Sequence, residues 1–505
     1  MTPTLRRALF FSAFVAVVAA YVLTLDYQSL NPDELFSIYL AKQDYSFISG
    51  YAWRADTNPP LHTLLLKMWC GVFGYTAPAT RALSLLAAFA ATAVVFRIAR
   101  ACAPQPLAHR AWSSLLFLVS TTVAFYALDT RPYALWLLFV SISTLGLVKL
   151  VASFRADDEP RLAQLAPAGL LYVIGAVAGV YTHVTTLPYV AAANGVVLWL
   201  WARDRRSRAW PRVLPWCALQ GVILVAIVPQ LLISASQVHS HILDWIPPTT
   251  VTGIPRPIVE LIAGNYAGKR LLVVGPLVLV TIGLWLAFGW RGRNSTAPQQ
   301  LLFVLSASGF VVVLGLSLIR PMFIAHTLAW MLIPMSVVNG PQTVWPERRQ
   351  ALVSAWALVV LSAINTGLYL WKTPQYPWRE FLAEAKPRFH PTDVVVLVGS
   401  APVTEIAYYL PEQLGNTRRW LPEGYTRYEQ TSSVLDDRIF AALPVTVAEL
   451  RRDLEEGKAV WLVQRDAASL ISQVDTAFEN ELGATASVTS QWSYGTISIR
   501  RYGTP

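Results

Sequence analysis

The sequence predicts an all-α polytopic membrane bundle of about eleven transmembrane helices (residues 1–371), followed by a small C-terminal α/β domain (372–505) on the extracytoplasmic side. Three observations predict it. Apolar runs recur at close to the roughly 20 residues that a helix needs to cross a bilayer. Only 14% of the 505 residues are charged, against roughly 25% in an average soluble protein. The basic residues of the first part fall in short clusters between alternate runs.

The spans read 7–25, 79–101, 110–128, 132–152, 166–184, 187–202, 213–233, 270–290, 301–319, 323–340 and 350–371. The first follows Arg6 and Arg7 and resembles a signal peptide, but it is long, lacks a small-residue cleavage site and is followed by further spans. It therefore reads as a retained helix. The clusters Arg6/Arg7, Arg97/Arg100/Arg110, Lys149/Arg155/Arg161, Arg203/Arg205/Arg206/Arg208/Arg212, Arg291/Arg293 and Arg348/Arg349 all land on one side if the N-terminus is cytoplasmic. An odd number of spans then puts the tail outside. Two loops, 26–78 and 234–269, share that side. In the tail, the apolar stretches after Asp393 and at Ala459–Val463 read as short buried parallel strands, alternating with helical patterns at Val403–Leu410 and Val447–Glu456.

Charge and cysteine usage narrow the function classes. The tail from Lys372 holds 14 Lys+Arg against 17 Asp+Glu, whereas the part before it is strongly basic. Basic loops between spans suit anionic lipid, and no soluble basic face exists for nucleic acid. Cys70, Cys102 and Cys217 lie in the membrane part with neither metal spacing nor a disulfide framework.

Chemistry concentrates in the first exterior loop. Asp33 and Glu34 stand in Leu30-Asn-Pro-Asp-Glu-Leu-Phe-Ser37, shortly after an apolar run. One reading has Asn31 or Asp33 capping the helix that follows, with Glu34 in its first turn. That reading is compatible with a catalytic pair. Pro59-Pro60 opens a short apolar segment, Thr63 to Tyr75, suited to lying in the membrane interface. Other polar groups sit at exterior ends of spans: Asp129, Arg131 and Tyr133; Tyr181 and His183; His239 and His241; Lys269 and Arg270; Arg320 and His326. Snorkelling and interhelical hydrogen bonds would account for each alone. Their convergence on one end of a bundle points to a site.

The Asp33-Glu34 pair, the segment Asn58-Pro-Pro-Leu-His62-Thr-Leu-Leu-Leu-Lys-Met-Trp69 with Phe73-Gly74 and Arg81, and Asp129-Thr-Arg-Pro-Tyr133 with Tyr181-Thr-His183 resemble GT-C superfamily glycosyltransferases. The likeness is to the protein O-mannosyltransferase and aminoarabinose-transferase type, bacterial branch, over roughly residues 5–370. It implies transfer of a sugar, with inversion, from a polyprenyl-phosphate donor to a lipid, glycan or protein acceptor at the outer face of a bacterial cytoplasmic membrane. It also implies Asp33 as base with Glu34 beside it, and Arg131, Lys269 and Arg270 as partners of the donor phosphate. Asp129, Tyr133, Asn58, Arg54 and His326 complete the substrate-contacting set. Metal use varies among relatives; Asp33, His62 and His183 are the candidate ligands of a divalent cation, the one cofactor expected. Two positions depart from the pattern. His326 stands where relatives often carry arginine, and Asp129 replaces a glutamate. The alternatives are a non-catalytic lipid-linked-sugar transporter or polysaccharide-export component, which would favour broken helices and midplane charges, and a scaffold that recruits partners through its tail.

Overall fold

The computed structural model describes residues 3–102, 107–156, 162–203, 210–237, 246–264, 271–291, 296–339, 349–371, 377–398, 403–420, 443–465, 468–483, 486–494 and 497–504. Its first part is built from α1 (Pro3–Thr24), α2 (Pro32–Lys42), α3 (Leu61–Phe73), α4 (Ala77–Cys102), α5 (Leu107–Leu118), α6 (Thr121–Ala127), α7 (Tyr133–Ala156), α8 (Leu162–Thr182), α9 (Thr186–Arg203), α10 (Trp210–Gln237), α11 (Pro255–Ala263), α12 (Leu271–Arg291), α13 (Ala297–Ser317), α14 (Ala325–Leu328), α15 (Leu332–Val338) and α16 (Arg349–Leu370).

Among the described residues six helices, α4, α7, α8, α10, α12 and α13, are long and apolar enough to cross a membrane. Shorter apolar stretches of α1, α3, the α14–α15 segment and α16 accompany them. Large apolar side chains face outward on α10 and α12, with Val225 75% and Leu279 73% exposed. Such a surface is stable against hydrocarbon and costly in water. The expected continuous spans at 110–128 and 323–340 are both interrupted. The first breaks into α5 and α6 at Val119–Ser120. Thr366 Oγ1 donates to the freed Val119 carbonyl at 2.7 Å, which keeps it satisfied in the bundle. The second consists of α14, a 3₁₀ turn at Ala329–Met331, and α15.

α3 begins directly after Pro59-Pro60, as expected, and ends at Gly74, whose φ of 82° lies in the left-handed region. It buries His62, Thr63, Leu66 and Cys70 while exposing Met68, Val72 and Phe73. That division suits a helix lying at the lipid boundary.

The tail contains α17 (Trp378–Ala385), β1 (Val394–Val398), α18 (Val403–Tyr409), β2 (Thr417–Trp420), β3 (Leu443–Pro444), α19 (Val447–Glu455), β4 (Val460–Arg465), α20 (Ala468–Leu482), β5 (Ser487–Tyr494) and β6 (Ile497–Gly503). The mixed sheet runs β3-β2-β1-β4-β6-β5. β1 and β4 are parallel neighbours, Val395 opposite Trp461, and β1 is buried along its whole length, as an all-apolar strand covered on both faces must be. β5 and β6 add an antiparallel pair. The domain rests on α2, where Leu30, Leu35 and Ile38 pack with Tyr408 and Tyr409.

Candidate active site

The stretch that carries the carboxylate pair folds as a capped helix start. Asn31 is the cap: its Oδ1 accepts from the Glu34 amide at 2.9 Å, and the Glu34 carboxylate accepts from the Asn31 amide at 3.0 Å. This reciprocal arrangement, with Pro32 preset for the first turn, fixes which way each carboxylate points.

The two then part company. Glu34 is 1% exposed and faces Arg81 of α4, with Nε–Oε1 and Nη2–Oε2 distances of 2.7 Å. Oε1 also accepts from the Thr130 amide at 3.0 Å. Arg81 in turn donates to the carbonyls of Leu25, Gln28 and Ser29. Every oxygen of Glu34 is thus spent on holding the loop. Asp33, one residue earlier, is exposed.

Arg131, in the turn between α6 and α7, is the centre of the remaining cluster. Its Nη1 lies 3.4 Å from the Asp33 carbonyl and 3.3 Å from Ser37 Oγ, while its buried Nε has no hydrogen-bond partner among the described residues. Burial opposes its charge, but Asp33, then Asp56 and Asp129, more than offset this and hold it firmly protonated. Burial, reinforced by the charge of Glu34, pushes the Asp129 carboxyl well above the usual carboxylate range. Asp129 accepts from Asn31 Nδ2 at 3.2 Å, tying the turn to the cap of α2. Burial also raises Asp56, which Arg131 and the Asn58 amide partly restrain.

Histidines and aromatic rings line the inner side. Burial and then the Arg131 charge push His62 down to about 3, and its Nε2 has no partner among the described residues. His183 is pushed down to about 3 by burial, His326 and Arg131, and its Nδ1 lies 2.6 Å from Thr185 Oγ1. Both rings are neutral at physiological pH. Tyr133 stacks on Tyr126 at 4.7 Å and on His326 at 5.0 Å, and Tyr126 Oη lies 2.9 Å from His326 Nδ1. A narrow cleft lined by Thr121, Phe125, Tyr126, His326 and Tyr369 opens beside them.

The structure therefore brings Asp33, Asp129, Arg131, Tyr133, His62, His183 and His326 to one end of the bundle. Asn58 belongs to the same place, but as support: its amide and Nδ2 donate to Asp56 Oδ1 at 3.1 and 3.3 Å. Arg54 points outward, and its carbonyl accepts from Gln237 of α10. Lys269, Arg270, His239 and His241 lie outside the described residues. Among the described residues no three His, Cys, Asp or Glu side chains gather as ligands. Asp33, His62 and His183, the candidate ligands of a divalent cation, all lie within electrostatic range of Arg131. Sequence reasoning passed over Asp56, although an Asp two residues before Asn is an Asx-turn signal. It quoted Arg81 without a role, and it missed Tyr126, for which no local signal existed.

No family model matches the chain, and no curated protein matches it. Solved structures do. The apo crystal structure of ArnT from Cupriavidus metallidurans matches with a TM-score of 0.61 at 14% identity, covering 98% of this chain and 97% of that one. The same protein bound to undecaprenyl phosphate gives 0.62 at 13%, covering 99% and 98%. The archaeal oligosaccharyltransferase AglB from Archaeoglobus fulgidus, in complex with an inhibitory peptide and a dolichol-phosphate, gives 0.52 at 11%, covering 99% of this chain and 74% of that one. The chain has the fold of ArnT and of the archaeal oligosaccharyltransferase over nearly its full length.

Proposed function

We propose that this chain, a multi-pass membrane protein of GT-C fold, is an inverting glycosyltransferase. It takes a sugar from a polyprenyl-phosphate donor and passes it to an acceptor hydroxyl or phosphate at the outer face of a bacterial cytoplasmic membrane. The observation that carries this reading is the juxtaposition of an exposed carboxylate, Asp33, with a half-buried arginine, Arg131, whose buried Nε has no partner among the described residues. In the reaction the acceptor oxygen attacks the anomeric carbon from the face opposite the phosphate. Asp33 takes the acceptor proton as the glycosidic bond to phosphate breaks. The polyprenyl phosphate leaves with the bonding electrons, and Arg131 stabilises the charge it acquires. Tyr133, His326 and Asp129 shape the wall of the site, and Glu34 positions the base rather than sharing its work. No step is assigned to a metal. The positive-inside distribution of basic clusters supports the outward orientation.

The test is Asp33→Asn in purified protein in nanodiscs. It should retain undecaprenyl-phosphate binding and lose transfer from polyprenyl-phosphate sugars to acceptor lipid or glycan. Turnover equal to wild type would remove Asp33 as base. The interrupted segments at Val119–Ser120 and Ala325–Val338 favour a second reading, lipid-linked-sugar transport, because broken helices are a transporter device. Movement of a labelled lipid-linked sugar across liposomes without acceptor product would select it.

A further inference from the structure

The contact between the C-terminal domain and the first loop is more than apolar. The Leu30 amide donates to Tyr409 Oη at 2.9 Å, and Ser29 Oγ donates to Glu380 Oε2 at 2.8 Å. Arg379 reaches Asp26 through its carbonyl and carboxylate, both at 3.1 Å, and the Arg379 amide donates to Ser29 Oγ at 3.3 Å. Tyr408 Oη donates to the Tyr75 carbonyl at 3.1 Å, close behind α3. Tyr409, Tyr408 and Tyr39 close the apolar part of the same seam.

Ser29 and Leu30 are the residues immediately before the Asn31 cap. The Ser29 carbonyl is also held by Arg81, which binds the Glu34 carboxylate as well. From Tyr409 and Glu380 the bonded groups therefore run without a gap through Ser29, Leu30 and Arg81 to the first turn of α2, which carries Asp33. A capping residue sets the entry angle of its helix, so an anchor one residue earlier sets the direction in which Asp33 leaves the backbone.

We propose that the C-terminal domain is a positioning element for the catalytic carboxylate, acting through Tyr409 and Glu380 on Ser29 and Leu30. The inference rests on the reading of Asp33 as the base. Tyr409 and Glu380 are positioning residues that touch neither donor nor acceptor. The domain thereby acquires a role beyond covering the site: it holds the loop that membrane helices alone leave tied on one side.

The experiment uses the full-length protein in nanodiscs, carrying Tyr409→Phe, Glu380→Ala or the conservative Glu380→Gln. Hydrogen exchange is read on a peptide covering residues 28–36, with β1 and β4 as internal references. Tyr409→Phe should raise exchange in that peptide about five- to tenfold, the order of one lost hydrogen bond, without changing the references. Glu380→Ala should do the same, and Glu380→Gln, which keeps an acceptor for Ser29, should restore protection. In transfer assays with undecaprenyl-phosphate-linked hexoses and pentoses, kcat should fall while donor KM and undecaprenyl-phosphate binding stay unchanged. Unchanged exchange in residues 28–36 overturns the inference, as does a loss confined to KM. If wild type transfers no sugar, the functional reading fails by itself, and the exchange result still decides whether the domain holds the loop.

Discussion

Replacing Glu34 by Gln should unfold the protein several degrees earlier, whereas replacing Asp33 by Asn, its neighbour, should shift the midpoint far less. Glu34 and Arg81 are 1% and 5% exposed at their side chains and meet through two bonds of 2.7 Å. Removing one partner of such a buried pair typically costs about 3–5 kcal/mol, because the other charge stays desolvated. Arg81 would keep three carbonyl acceptors, which pulls the figure towards about 3 kcal/mol. The amides of Asn31 and Thr130 would in addition face a carboxamide with a single acceptor oxygen in place of two. Asp33 is exposed, so its attraction for Arg131 is screened by solvent, and its loss should cost no more than about 1 kcal/mol. The assay is intrinsic-fluorescence unfolding of the two variants and wild type in one detergent. A double change, Glu34→Leu with Arg81→Met, should recover part of the loss, since paired apolar replacements remove the stranded charge. A Glu34→Gln midpoint within a degree of wild type, or an Asp33→Asn midpoint equally depressed, would refute the division of labour between the two carboxylates.

Arg131→Lys keeps the charge but loses the planar fork, and should lower transfer about a hundredfold with weaker undecaprenyl-phosphate binding, measured by titration in nanodiscs. Gly146→Ala and Gly175→Ala should each destabilise by about 1–3 kcal/mol, because the new Cβ would lie 2.8 Å from the Tyr172 or Ser143 Cα across the α7–α8 crossing. Gly195→Ala, with open space around it, serves as the neutral control in the same melts. His62, held down to about 3 by burial, excludes its proton in the folded state, while the unfolded chain takes it up near pH 6.5. Its contribution is therefore intact above pH 6.5 and declines as pH falls towards 3; at pH 5 it costs about 2 kcal/mol, from 1.5 units at 1.36 each. His62→Gln should accordingly narrow the stability difference between pH 7.5 and 5 by about that amount, and an unchanged difference would count against a buried neutral ring.

Local information carried much of this architecture. Apolar runs marked the helices, Pro59-Pro60 marked the start of α3, and two valine-rich stretches marked β1 and β4 as buried parallel strands. What escaped is non-local. Asp33 and Glu34 are chemically alike and adjacent, so no pattern could say which faces Arg81, 47 positions from Glu34. The break at Ser120 carries no proline or glycine; it depends on Thr366 and Asn365 arriving from α16 to satisfy the opened turn. Asp56 was hidden because its role depends on the placement of Arg131. The tail was legible as an α/β unit, but its seam with α2 needed Tyr409 and Leu30 to meet across the whole chain.

The wiring of Glu34 and Leu30 has a consequence for synthesis. The loop bearing Asp33 leaves the ribosome before its partners, which arrive 47, 96 and finally 379 residues later. Until Arg81 follows, Glu34 is an unmatched charge; until Tyr409 follows, the Leu30 amide has no acceptor in the protein. The loop thus emerges well before the groups that complete its hydrogen bonds. A nascent or truncated protein would carry Asp33 without the setting that aims it.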